Sequence, residues 1–104
     1  MTVVSIYAVF GDSDEAERIA RTAIEERLAA CVNILGPIRS IYRWENALES
    51  ANEVAAIFKT SEKRAGALMT RIAQLHSYDV PCVAELPVEK VLESYAAFVE
   101  ANVD

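Results

Sequence analysis

Residues 27–60 read RLAACVNILGPIRSIYRWENALESANEVAAIFKT and decide the fold. From Ile38 the order alternates. Ile38, Ser40, Tyr42 and Trp44 point one way, and Arg39, Ile41, Arg43 and Glu45 the other. A period of two belongs to a strand, not a helix. A second apolar run rises through Glu53, Val54, Ala55, Ala56, Ile57 and Phe58 to Lys59. Asn46 suits the bend between them, because its short amide tolerates the left-handed region. The stretch predicts a β-hairpin with an unusually long first arm, Ala30 to Trp44. Gly36 and Pro37 should kink that arm, since proline cannot donate to a ladder and glycine accepts bulge geometry. An arm reaching past its own sheet offers a handle to a neighbouring chain.

Outward from the hairpin, Val3 to Phe10 is rich in β-branched and aromatic residues and stops at Gly11, which predicts a strand. Asp12, with Glu15 three positions on, forms a capping-box pattern. The helix that follows carries Ala16, Ile19, Ala20, Ala23, Ile24 and Leu28 as an apolar stripe. Glu15, Glu17, Arg18, Arg21, Glu25 and Glu26 fall mostly on the solvated side. Thr60 or Ser61 caps a second helix that buries Ala65, Leu68, Met69, Ile72 and Leu75. Pro81 stops it. Cys82 to Leu86 reads as a short strand ended by Pro87. A last helix runs from about Glu89 to Asn102, with Leu92, Tyr95, Ala96, Val99 and Val103 spaced for burial. The order β-α-β-β-α-β plus a helix is the split βαβ, or ferredoxin-like, α+β arrangement. Right-handed crossovers put both connecting helices on one face of the sheet. The other face is left open, and association through it is the expected consequence.

The chain has 104 residues, one domain's worth, spanning 1–104. Its apolar fraction of 53% is slightly above the common range of about 45–50%, as expected if a partner covers some of it. A formal net charge of -6 repels phosphate backbones, so nucleic-acid binding is not expected. Two cysteines build no disulfide framework and have no zinc-knuckle spacing. No stretch approaches the ~18 apolar residues of a membrane span, and the start lacks the charged lead-in of a signal peptide. A cytoplasmic location is the simplest expectation.

ERLAACVNI (26–34), SIYRWE (40–45), Glu53 with Lys59–Thr60, and His76-x-Tyr78-x-x-Pro81 together resemble the CutA family of divalent-cation-tolerance proteins. Their order and spacing match over nearly the whole chain. The resemblance implies a ferredoxin-like subunit assembled as a homotrimer, similar in architecture to PII signalling proteins. It also implies an association with copper or other divalent metals. Three positions depart from the family's pattern. Asn46 and Ala47 follow Glu45 where the family reads Trp-Glu-Gly, Ser77 replaces a proline, and Cys82 replaces a glutamate.

Two sets of site candidates stand out. Cys31, Cys82 and His76 could form a soft metal site if assembly brings chains together. Equally, the cysteines could be small buried hydrophobes, and His76 could bond the carbonyls that end its helix. Tyr42, Trp44, Glu53, Lys59 and Tyr78 could line an intersubunit cleft. An inward Glu53–Lys59 pair there would serve as a polar site or as an interface clasp. No nucleophile–base pair, phosphate loop or paired carboxylates point to an enzyme. The sequence therefore points to a non-enzymatic trimeric protein of metal tolerance. The alternatives are a PII-like small-molecule or anion sensor and a trimeric scaffold for another protein.

Overall fold

A computed structural model describes residues 2–104. Strand β1 (Val3–Phe10) leads into helix α1 (Ser13–Glu25). The hairpin of β2 (Cys31–Trp44) and β3 (Ala47–Ser61) follows, then α2 (Glu62–Leu75), β4 (Val83–Pro87) and α3 (Glu93–Asn102). The sheet is antiparallel throughout, in the order β2-β3-β1-β4. Helices α1 and α2 touch each other and the strands, as two crossovers on one face require. This is the ferredoxin-like arrangement that the sequence predicts.

Between the helices and the sheet, β1 contributes Val4, Ile6, Ala8 and Phe10, and β3 contributes Val54, Ala56 and Phe58. Ile19, Leu68 and Ile72 close over them, each fully buried. Asp12 caps α1 by accepting from the Glu15 amide at 2.8 Å, and Ser61 caps α2 through the Arg64 amide at 3.2 Å. Leu28 lies past the end of α1. Arg27, at φ 58, reverses the chain, and the Leu28 and Arg27 amides bond back to the Ala23 and Ile24 carbonyls. That pair of bonds is a Schellman ending, which tucks Leu28 under the core.

The hairpin is longer on its second side than the sequence suggests. β3 begins directly after the turn, and pairing runs unbroken from Trp44↔Ala47 inward. The bend is only Glu45 and Asn46, at φ 48 and φ 67. Two consecutive left-handed residues make the turn whose twist matches a hairpin. Polar Glu49, Ser50 and Asn52 do not interrupt the strand, because ladder bonds use backbone and these side chains meet solvent. Further down, the register shifts between Ile34 and Gly36, where Leu35 is extra and Gly36 takes φ 95. The bulge reverses parity. Before it, odd-numbered Cys31 and Asn33 face away from the helices; after it, even-numbered Ile38, Ser40, Tyr42 and Trp44 do.

Three expectations are corrected. α3 starts at Glu93, not near Glu89, and Leu92 is 77% exposed instead of buried. The Leu92 carbonyl accepts from the Tyr95 and Ala96 amides, so Leu92 caps the helix and lies outside its buried stripe. The open face is not wholly bare, since α3 contacts β3 and sets Tyr95 near Cys31 on that side. Glu15 is 6% exposed and does not belong to the solvated side of α1.

Candidate functional site

Because the bulge aligns the far half of β2 with the odd-numbered residues of β1 and β3, one face of the sheet collects a particular set of side chains. Ile38, Ser40, Tyr42 and Trp44 stand beside Glu53 and opposite Tyr7 and Val9. The connection from α2 to β4 closes the other wall with Tyr78, Asp79, Val80 and Cys82. Together they enclose a cavity of about 580 Å³, within the range of small-molecule sites.

The polar centre of this cavity is Glu53. It lies on β3 opposite Ile38 and is buried. Its Oε2 accepts the Tyr78 hydroxyl at 2.9 Å. Burial, and then the hydrogen bond to the Glu53 carboxylate, pushes Tyr78 up to about 12, so its hydroxyl remains a donor at neutral pH.

Tyr78 is held from behind by a buried polar cluster. The His76 Nε2 donates to the Val9 carbonyl at 2.7 Å, and its Nδ1 accepts from the Tyr78 amide at 3.1 Å. Both bonds together define the neutral imidazole with its proton on Nε2. The ring stacks on Phe10, with centroids 5.0 Å apart. Glu15 accepts from the Ser77 amide at 2.8 Å and from the Gly11 amide at 3.2 Å. Burial alone would raise the Glu15 carboxyl, but the hydrogen bonds from Ser77 and Gly11 outweigh it and hold it below the usual value. Gly11 leaves room for the arrangement, because a β-carbon there would stand 3.2 Å from the Tyr78 hydroxyl.

The structure therefore brings four of the five cleft candidates together, Tyr42, Trp44, Glu53 and Tyr78. Lys59 is apart. It shares a face with Glu53 but lies six residues, or about 20 Å, along the strand, and its ammonium bonds the Asn33 amide oxygen instead. The expected Glu53–Lys59 ion pair does not form within the chain. The soft-metal candidates are dispersed. Cys82 lines the cavity, and Cys31 lies on the opposite edge strand beside Tyr95. Burial at α3, followed by the hydrogen bond with that thiol, pushes Tyr95 up to about 12. His76 sits behind the wall with both nitrogens engaged, and it bonds a β1 carbonyl in place of the helix-terminal carbonyls. Among the described residues, no group of three or more His, Cys, Asp or Glu side chains is placed to hold a metal ion.

Tyr7, Asp79 and Glu15 were not among the site candidates read from the sequence. Tyr7 had a readable signal: Ser5 and Tyr7 alternate with the fully apolar Val4, Ile6 and Ala8. Glu15 and Asp79 had none, because their surroundings come from segments distant in sequence.

An open-faced ferredoxin-like subunit with an overlong hairpin and a cavity on the open side is a well-defined class of protein. The family model of the CutA1 divalent ion tolerance protein matches residues 4–102. The chain belongs to that family. It is 37% identical over 99 residues to the divalent-cation tolerance protein CutA of Archaeoglobus fulgidus, covering 95% of this chain and 96% of the relative. It is 41% identical over 93 residues to that of Pyrococcus horikoshii, covering 89% and 90%. The crystal structure of CutA from Xylella fastidiosa superposes with a TM-score of 0.96 at 33% identity, covering 100% of both chains. The Archaeoglobus fulgidus structure, described as a periplasmic protein, superposes at 0.95 with 36% identity, covering 98% of this chain and 99% of that one. Among the described residues of this chain, no helix is long and apolar enough to cross a membrane.

Proposed function

We propose that this protein acts in divalent-metal tolerance as a non-enzymatic homotrimer, with subunits joined through the open sheet face and the hairpin. The observation that carries the assembly is the hairpin itself. Beyond the reach of the eight-residue β1, it exposes Ile41, Tyr42, Trp44 and Leu48 on a two-stranded ribbon, with Ile41 and Leu48 more than two-thirds exposed. Apolar residues on an isolated ribbon need a partner surface. The name that the relatives carry supports the metal role, and the two unpaired thiols fit a reducing cytoplasm.

Reduced copper prefers sulfur, so Cys31 and Cys82 are the proposed ligands. Standing at opposite edges of one sheet, they form a soft site only by drawing on different subunits. His76 joins such a site only by giving up Val9 or Tyr78. The test is calorimetric copper(I) titration under reducing conditions. The double variant Cys31→Ser with Cys82→Ser should lose tight binding and stay assembled, while His76→Ala should change copper(I) affinity less. Undiminished affinity in the double variant would refute the thiol site.

The cavity favours a second reading, a small-molecule sensor comparable to PII proteins. It has the volume of a ligand site, apolar walls and one buried, oriented carboxylate. A thermal-shift screen that finds a ligand whose effect vanishes in Glu53→Gln would support it.

A further inference from the structure

We infer that the cavity on the open sheet face takes a small organic cation, an amine or quaternary ammonium headgroup, held by Glu53 and the surrounding aromatic rings. The inference rests on the small-molecule reading of that cavity and gives it a chemical class.

Three features of the lining point to positive charge. First, the polar side chains include two carboxylates, Glu53 and Asp79, and no lysine, arginine or histidine. This chain supplies nothing there to neutralise an anionic ligand. Such a ligand would also approach a chain whose formal charge is already -6. Second, four aromatic residues line the walls: Tyr7, Tyr42, Trp44 and Tyr78. Aromatic faces carry negative potential and attract a desolvated cation, with tryptophan the strongest. Third, Glu53 is buried and fixed. Tyr78 donates to Oε2, which orients the carboxylate and leaves Oε1 to a ligand. Tyr78 is fixed in turn by His76 and, through Ser77, by Glu15.

A metal ion held by this chain's lining alone fits poorly. Aromatic carbons offer no lone pairs, and the described residues include no group of three ligating side chains at the cavity. An organic cation needs one counter-charge and an aromatic wall, and both are present.

Trp44 is the sole tryptophan of the chain and lines the cavity, so its emission reports occupancy directly. The probes are choline, its uncharged carbon isostere dimethylbutanol, and the carboxylate dimethylbutyrate. They are titrated into the full protein by Trp44 emission and by calorimetry. Choline should bind about tenfold more tightly than either comparator. Glu53→Gln should remove most of that preference and leave dimethylbutanol unchanged. Glu85→Gln, which makes the same charge change outside the cavity, should leave choline binding intact. Tyr42→Leu keeps an apolar wall and should also weaken choline selectively, which covers the case of a Glu53 variant that folds badly. Equal or tighter binding of dimethylbutanol or dimethylbutyrate, with Trp44 responding, would overturn the cationic class and leave the small-molecule reading standing. No response to any probe would overturn both.

Discussion

Glu15 shows how one side chain can hold a site it never touches. It completes the first turn of α1, yet its carboxylate reaches across to the Gly11 and Ser77 amides and stands near His76. Its folded-state value lies below the ordinary carboxyl value, so its contribution to stability is fully present above that ordinary value. The contribution is lost as the pH falls through the lowered folded value. Glu15→Gln keeps the shape but loses the charge and should cost about 1–2 kcal/mol at neutral pH, the scale of charged hydrogen bonds. Chemical denaturation from pH 7 down to pH 3 checks this expectation (~4 pH units across the carboxyl range), and the variant's curve should be flatter on the acid side. An unchanged acid limb would remove Glu15 from this role. The capping pattern was legible because Asp12 and Glu15 are neighbours in sequence. The burial was not, because Ser77 lies 62 residues away and arrives only with the fold. His76 illustrates the same limit: its place at a helix end is sequence-local, while its partner Val9 is 67 positions distant.

At the scale of elements, the hairpin is decided by a few backbone exceptions. The alternation from Ile38 to Trp44 showed which side chains share a face, and Gly36–Pro37 marked the irregularity. What alternation could not show is where that face looks, because a single extra residue at Leu35 exchanges odd for even. The cavity depends on this exchange. Gly36 stands at φ 95 with nothing within 4 Å of an added β-carbon. The expected effect of Gly36→Ala is therefore backbone strain alone, about 1–2 kcal/mol. Denaturant midpoints should fall by the corresponding amount, and ligand or metal binding by the folded variant should be unchanged. The turn offers the opposite case. Glu45 occupies φ 48, which glycine reaches without penalty, so Glu45→Gly should be neutral or stabilising by up to about 1 kcal/mol. A clear loss of stability in Glu45→Gly would mean that the Glu45 side chain makes a contact the turn geometry does not explain. The start of α3 was misread for a related reason. The apolar spacing of Leu92 resembles a helical stripe, but the helix is capped by the Leu92 backbone and the spacing is incidental.

The whole molecule measures 45 × 26 × 22 Å, long because the hairpin projects from a small two-layer body. Composition anticipated the surplus of apolar surface, and strand order anticipated the open face. α3 trims that face near Cys31 and leaves the cavity end open. Trp44, half exposed near the hairpin tip, is the proposed anchor for a neighbouring subunit. Truncating such an anchor commonly costs about 2 kcal/mol or more, so Trp44→Ala should shift dissociation to higher protein concentration while far-ultraviolet circular dichroism stays the same. The central claim is that this subunit is completed by copies of itself through the open face and the projecting hairpin. Light scattering across a dilution series tests it most directly. The expected result is a particle three times the 11.4 kDa chain mass that persists to the lowest measurable concentration. A folded particle of single-chain mass at micromolar concentration would contradict it.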